Sequence, residues 1–342
     1  MNKRIAFFDT KPYDRPHFDA LAQEMGISIM YFESKLNEKT AVLAKDYPIV
    51  CAFVNDTINK TVIDTLYEGG TQLLAMRCAG YNNIDVKAAY GKIHIVRVPA
   101  YSPHAVAEHA MALLLSSVRH IHKGYARTRE LNFSLNGLVG FDLYKKKIGV
   151  VGTGKIGRVF SEICQGFGMH VLAYDPYPAS DLAVEYCSFE HLCKHSDIIS
   201  LHCPLTEEST HLIDRDSIAL MKEGVILINT SRGALIDSQA LLEGIRTKKI
   251  GSAALDVYEE EAELFYEDHS ATILSDDVLM LLISMPNVLV TSHQAFLTEE
   301  ALQQIAKTTM SSVDQYLGDL VMDHEICYRC DECHKVEGKR CF

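Results

Sequence analysis

Gly152-Thr153-Gly154-Lys155-Ile156-Gly157 lies near the middle of the chain, between an apolar run that reads as a strand and another that reads as a helix. A lone G-x-G-x-x-G recurs by chance, so its surroundings carry the weight. Ile148, Val150 and Val151 supply a short buried strand before it, while Ile156, Val159, Phe160, Ile163 and Phe167 recur at helical spacing after it, up to Gly168. His170 to Tyr174 then reads as a second strand. It ends in Asp175, 23 residues after Gly152, where a carboxylate can accept hydrogen bonds from the adenosine ribose of a dinucleotide. The glycines let the backbone turn tightly and approach a pyrophosphate, whose charge meets the amides and positive dipole end of the helix. Pro176, Tyr177 and Pro178 follow Asp175, with no cation to neutralise a 2′-phosphate, so NAD is favoured over NADP.

A nucleotide fold that begins in mid-chain implies that another domain precedes it. Before residue 100, strand candidates at Ile5 to Phe8, Ile27 to Phe32, Ile49 to Val54, Leu73 to Arg77 and Ile93 to Val98 alternate with helical segments such as Phe18 to Met25 and Val62 to Tyr67. That alternation is a parallel α/β unit of its own. Ser102-Pro103 reads as cap and first residue of a long helix to His122, with Val106, Ala110, Leu113, Leu114, Ser117 and Ile121 on one face. Such a face, at a domain crossover, is expected to pack against another subunit. From Lys147 to His293 six strand runs recur, at 148 to 151, 170 to 174, 198 to 202, 225 to 229, 252 to 256 and 287 to 292. Six parallel strands with connecting helices make a doubly wound sheet. A last helix from about Thr298 to Leu317 follows, and nothing beyond it reads as a strand.

The expected architecture is therefore α/β, with two Rossmann-like or flavodoxin-like doubly wound parallel-sheet domains and the active site in the cleft between them. Residues 1–100 and 298–342 form a substrate domain split in sequence, and 101–297 the NAD-binding domain. The length of 342 residues suits two domains. A net charge of −12 without basic runs argues against a nucleic-acid surface. No apolar stretch reaches the roughly 18 residues of a membrane span, and the run after Lys3 and Arg4 ends at Asp9, too short for a secretory signal, so a cytoplasmic location is expected. Six cysteines, Cys51, Cys78, Cys164, Cys187, Cys193 and Cys203, are dispersed in apolar segments as reduced core thiols are. Cys327, Cys330, Cys333 and Cys341 crowd the C-terminal end; their spacing matches no familiar ligand set, so a solvated, partly disordered tail is expected there and no metal site.

In an open α/β sheet, ligands bind beyond the carboxyl ends of the strands. Those ends carry the glycine loop, Asp175, His202-Cys203-Pro204, Asn229-Thr230-Ser231-Arg232-Gly233, Asp256 and His293. These runs, with Arg77-Cys78-Ala79-Gly80-Tyr81-Asn82-Asn83-Ile84-Asp85, Val98-Pro99-Ala100-Tyr101, Asp256-Val257-Tyr258-Glu259-Glu260-Glu261 and Ser292-His293-Gln294-Ala295-Phe296, resemble the D-2-hydroxyacid dehydrogenases over about residues 1 to 320. Within that family they look most like the fermentative NAD-dependent D-lactate dehydrogenases of bacteria.

The resemblance implies roles that the chemistry supports. Arg232 is a bidentate clamp for a substrate carboxylate. His293 is the acid/base, since imidazole gives a proton in one direction and takes it in the other. Glu261, third after Tyr258, is the carboxylate that orients the ring, although Glu259 and Glu260 beside it make a bland acidic loop an equal reading of the residues alone. The backbone of Ala79 and Gly80, with Tyr101 and Phe296, would complete the substrate pocket. Gly152 to Gly157, Asp175, His202, Cys203, Pro204, Thr230, Ser231, Arg232 and Asp256 would contact NAD, with Asp256 toward the nicotinamide. Some relatives have Pro where this chain has Ser292 and Tyr where it has Phe296, which bears on preference among 2-keto acids. The expected activity is reversible reduction of pyruvate to D-lactate. Bulkier acids such as 2-ketoisocaproate or phenylpyruvate, and an NAD-binding corepressor-like module on the same fold, are the alternatives. A homodimer or higher homo-oligomer is expected.

Overall fold

The computed structural model describes residues 3–261, 264–329 and 340–342. It divides into two compact units, Met1–Ser102 with Leu297–Phe342, and Pro103–Phe296.

The first unit opens with β1 (Arg4–Phe7), α1 (Arg15–Met25), β2 (Ser28–Tyr31), β3 (Ile49–Ala52), α2 (Lys60–Glu68), β4 (Leu73–Met76), α3 (Val86–Ala89) and β5 (His94–Val96). Local chemistry sets these bounds: Asn59 accepts from Val62 N to cap α2, and Gly26 ends α1 with a left-handed φ of 64°. The second unit contains α4 (Pro103–Arg119), α5 (Ile121–Arg129), β6 (Lys147–Val151), α6 (Lys155–Gly166), β7 (His170–Tyr174), β8 (Glu185–Tyr186), α7 (Phe189–His195), β9 (Ile198–Leu201), α8 (Arg215–Leu220), β10 (Val225–Asn229), α9 (Ser238–Arg246), β11 (Ile250–Leu255), α10 (Asp277–Ser284) and β12 (Val288–Val290). The chain then returns to the first unit through α11 (Glu299–Leu317) and β13 (Glu325–Ile326).

Among the described residues the first unit's sheet runs β13-β5-β4-β3-β1-β2, parallel except for β13, and the second's runs β12-β11-β10-β9-β6-β7-β8, all parallel. The first is the flavodoxin-like order and the second the Rossmann order extended by one strand. Helix α11 explains the split: Ala306, Met310, Val313 and Tyr316 on it join Ile5, Phe7, Phe18 and Ile49 in one buried cluster. Each such fully buried side chain contributes about 1.5–3 kcal/mol, enough to hold a segment remote in sequence. In the second sheet successive residues face opposite cores. Val225 and Leu227 join the cluster under α7 to α10, while Ile226 and Ile228 join that under α4 and α6. Covered on both faces, the strands read as continuous apolar runs. No described helix is long and apolar enough to cross a membrane.

Several expectations need correction. The second sheet has seven strands rather than six, because β8 is two residues long and carries no alternation to read. A strand does follow α11: β13 pairs antiparallel with β5, and its Glu325 carboxylate lies 2.6 Å from His94 Nδ1. The long helix breaks at His120, whose φ is 52°, giving α4 and α5. Of its apolar face, Ala110, Leu113 and Leu114 join the buried core cluster of the second unit, Val106 and Ser117 are also buried, and Ile121, beyond the break, is exposed. Of the tail cysteines, Cys330 and Cys333 lie outside the described residues; Cys327 is buried and Cys341 half-buried. The described end of the tail is docked rather than solvated, with Phe342 stacked on His94 at 4.2 Å and Arg340 Nε donating to Leu320 O.

Candidate functional site

The strand order of the second sheet reverses between β6 and β9, and their loops meet there. A Cβ on Gly152 would lie 2.7 Å from Cys203 N and from His202 C, so only glycine, here at φ 90°, lets the loops touch. A Cβ on Gly157 would lie 2.0 Å from Gly152 O, which holds α6 tight against the strand end. Gly154 differs, since a Cβ there would meet nothing within 4 Å. Gly154 and Lys155 are exposed, and no side chain caps α6. The first amides of a twelve-residue helix are thus left for a ligand, over a glycine with open space before it.

Asp175 faces this loop. Its Oδ2 accepts from Thr153 N at 2.7 Å and Thr153 Oγ1 at 2.9 Å, and its Oδ1 from Tyr177 N at 2.8 Å. Burial opposes ionisation, but these hydrogen bonds outweigh it and hold the carboxyl below its ordinary range. His202 is the reverse case: burial alone drives its imidazole down to about 3, so it is neutral at any working pH. His202 Nε2 contacts Ser200 Oγ at 2.8 Å, while His202 Nδ1 and Thr230 Oγ1 are buried polar atoms with no partner among the described residues. The open glycine, the uncapped helix, the ionised acid and these two orphaned atoms fit a bound dinucleotide. Cys203 is half-buried, and Pro204 is exposed with its carbonyl accepting from Ser209 Oγ.

After β10, the Asn229 side chain brackets the next turn, donating to Arg232 O at 2.8 Å and accepting from Ser231 N at 3.0 Å. Ser231 Oγ ties the turn to Leu201 O. Arg232 itself is half-buried, donates to Ser231 O at 2.7 Å and makes no ion pair with a described residue. A fixed, unneutralised guanidinium is a receptor for a carboxylate.

The three adjacent glutamates do three things. Glu259 pairs with His211 at 2.5 Å, and that bond, against burial, raises the His211 pKa. Glu260 is exposed. Glu261 Oε2 accepts from Tyr258 N at 2.9 Å, and its Oε1 lies 2.9 Å from His293 Nδ1. A carboxylate there requires Nδ1 to carry hydrogen, leaving His293 Nε2 as the working nitrogen; it has no partner among the described residues. His293 sits at φ 54°, in the left-handed region. Its amide donates to Asp256 O at 2.7 Å, and Tyr266 Oη donates to its carbonyl at 3.1 Å.

Asp256 is fully buried, and both its oxygens are spent on its own chain. Oδ1 accepts from Thr291 Oγ1 at 2.6 Å and Gln294 N at 2.9 Å, Oδ2 accepts from Ala295 N at 2.8 Å, and His109 Nε2 lies 3.3 Å from Oδ1. Burial raises its pKa, but those bonds together bring it below the ordinary value. What this geometry does is fix the loop 291–295 that carries His293; Phe296 is buried at its end. Asn229, Tyr266 and His109 were not legible as site residues, although the motifs contain the first.

In the first unit, Ala79 and Gly80 follow β4. Their carbonyls are occupied, by Arg97 Nη1 at 2.9 Å and Cys78 Sγ at 3.3 Å. Among the described residues nothing accepts from their amides, and both residues are partly exposed. Arg77, buried beneath, donates to Phe8 O and Asp9 O and ties the loop to the end of β1. Tyr101 is half-buried at the end of this unit's first segment.

Residues 111–295 match the family described as D-isomer specific 2-hydroxyacid dehydrogenase, NAD binding domain. The chain is 48% identical to a D-lactate dehydrogenase of Escherichia coli over 314 residues, 91% of this chain and 95% of that one. The apo-structure of the D-lactate dehydrogenase from Escherichia coli is similar at a TM-score of 0.87 and 45% identity, covering 94% of this chain and 99% of that one. A structure reported for the pyruvate reductase of Chlamydomonas reinhardtii is similar at a TM-score of 0.89 and 42% identity, with 93% and 97% covered.

Proposed function

The chain belongs to the D-isomer-specific 2-hydroxyacid dehydrogenases, and on that premise we propose that it is an NAD-dependent D-lactate dehydrogenase, reducing pyruvate reversibly to D-lactate. The observation that carries the chemistry is the 2.9 Å Glu261–His293 contact with Nε2 left unpartnered. Protonated His293 gives the Nε2 proton to the keto oxygen and, in the reverse direction, takes it from the hydroxyl. Glu261 fixes the ring and balances the imidazolium charge. Arg232 and the free amides of Ala79 and Gly80 hold the substrate carboxylate. Gly152 to Gly157, Asp175, His202 and Thr230 hold the cofactor, and NADH when bound supplies the hydride. Asp256 acts by pinning the 291–295 loop. Tyr101 and Phe296 shape the pocket for the methyl side of the substrate.

The same reading extends to setting and assembly. Cys51, Cys164 and Cys193 are buried thiols, the first two pushed by burial up to about 12, which suits a reducing cytoplasm. A homodimer is supported by exposed apolar residues just after α4: Ile121, Tyr125, Leu131, Phe133, Leu135 and Val139.

The test is NADH oxidation by the purified chain against a panel of 2-keto acids, with the product's chirality determined. Pyruvate should lead the panel and yield D-lactate. A clear preference for branched or aromatic keto acids would overturn the lactate assignment; NADH binding without turnover on any keto acid would overturn the enzyme reading.

A further inference from the structure

Arg97 has no role in the proposed reaction, yet its guanidinium bonds the carbonyl of the peptide whose N–H is one of the amides of the first unit. It lies one residue beyond β5, half-buried, and pairs with no described carboxylate. Its guanidinium sits 5.2 Å over the Tyr81 ring and directs Nη1 to Ala79 O at 2.9 Å. Val98 N donates to Cys78 O at 3.1 Å, so the segment that follows β5 is tied to the loop by the Arg97 side chain and by the backbone of the next residue. The Ala79 carbonyl and the Gly80 N–H belong to one peptide unit. A cation on the oxygen draws density through the conjugated amide and makes the N–H on the far side a stronger donor, as in any polarised hydrogen-bond chain. That N–H has no acceptor among the described residues.

We propose that Arg97 is a positioning residue for the substrate carboxylate, acting through the Ala79–Gly80 peptide: it locks the plane of that peptide and charges it to receive an anion. The inference rests on the reading of Ala79 and Gly80 as carboxylate donors. It goes beyond it by assigning these amides a cation of their own, one that acts without touching the substrate. A 2-keto acid is bound through it, and a neutral ketone gains nothing from it. Because the carboxylate is present in both ground state and transition state, the effect falls on KM and not on the chemical step.

Two substitutions separate charge from anchoring. Arg97→Gln keeps an amide donor for Ala79 O and removes the charge, whereas Arg97→Lys keeps the charge. Each variant is assayed as the full chain with NADH, reading kcat, the KM for pyruvate, NADH affinity and the thermal midpoint. R97Q should raise KM about tenfold, or about 1.4 kcal/mol, with kcat and NADH affinity within about twofold of the unsubstituted protein. R97K should recover most of that loss, and the KM ratio between R97Q and the unsubstituted protein should shrink as salt rises. An unchanged KM in R97Q would overturn the role, as would R97K faring no better than R97Q, or a fall in kcat with KM constant. If the unsubstituted chain turns over pyruvate while R97Q matches it, the assignment of Arg97 alone fails. If the unsubstituted chain neither turns over nor binds any 2-keto acid, the reading beneath it fails as well.

Discussion

Gly233 is where the proposed carboxylate clamp and the proposed acid/base pair meet through the backbone, and Gly233→Ala tests whether that meeting matters. A Cβ at this position would lie 2.0 Å from Tyr258 C, 2.1 Å from Tyr258 O and 2.3 Å from Glu259 N. Ordinary contact begins at 3.4 Å, so a gap of 1.4 Å (3.4 − 2.0) must open. Neither side yields cheaply, because Tyr258 is 4% exposed and Leu235, two residues beyond Gly233, is 0% exposed. The Glu261 carboxylate is tied to Tyr258 N at 2.9 Å and would move with the 258–259 peptide, away from its 2.9 Å contact with His293. Arg232, adjacent to the insertion, would shift the other way. A misplacement of about 1 Å costs on the order of 100-fold in rate, so kcat/KM for pyruvate should fall about 100-fold, or about 2.7 kcal/mol. Overpacking should also lower stability by about 1–3 kcal/mol, leaving a folded protein whose melt can be checked. NADH affinity, measured by fluorescence titration, should stay within about twofold, since the glycine loop and Asp175 lie outside the disturbed peptides. A folded G233A protein that retains kcat/KM within about fivefold would refute the coupling. So would loss of NADH affinity in proportion to activity.

Three further outcomes are expected. Gly154→Ala places a methyl in open space at φ −65°, so stability should hold or rise by about 0.4–1 kcal/mol while NADH affinity falls; unchanged affinity would show that the cofactor does not approach Gly154. Asp256 titrates below its ordinary value of 3.8, so its contribution is present in full above that pH and lost as pH falls through the lower folded value. Asp256→Asn should be less stable at neutral pH by about 1–3 kcal/mol, and denaturant melts of the two proteins should converge as pH drops below 3.8; parallel curves would contradict the buried-carboxylate account. Phe133, 73% exposed among its apolar neighbours, should hold the dimer, so Phe133→Asp should sediment as a monomer with NADH binding intact, and an unsubstituted chain already monomeric in solution would remove the assembly.

How much of this was legible in the sequence depends on what each feature needs. Strands buried on both faces announce themselves as apolar runs, and a doubly wound sheet binds ligands at its strand ends, so the sequence directs attention to Gly152, Asp175, Arg232 and His293, which the structure places after β6, β7, β10 and β12. Strands β8 and β13 could not, because two residues beside an existing edge need no pattern of their own. His120 ends α4 without the Gly or Pro that usually marks a stop, since a histidine tolerates the left-handed region better than most residues. Arg97 was hidden inside the apparent strand Ile93 to Val98; the strand stops at Val96, and the lone cation in an apolar run was the available signal.

Carboxylates show the limit most clearly, because a strand-end acid looks the same in sequence whether it faces a ligand or its own backbone. Asp175 and Asp256 both end apolar strands and both are held below the ordinary carboxylate range by hydrogen bonds that outweigh burial. Asp175 spends one oxygen on the glycine loop and the other on Tyr177 N, at the partly exposed strand end. Asp256 spends its bonds on the loop 291–295 and on His109, at zero exposure. The two therefore respond differently to the same change: loss of charge at Asp175 should weaken cofactor binding, whereas loss of charge at Asp256 should loosen His293 and reach activity through its φ of 54°. A left-handed histidine persists only where its surroundings over-determine it, and here they do so through Asp256 O, the Asp256 carboxylate and Tyr266. The proposed acid/base is thus positioned by a fully buried acid bonded to its own chain, while the acid that contacts it, Glu261, is itself positioned by the backbone of Tyr258.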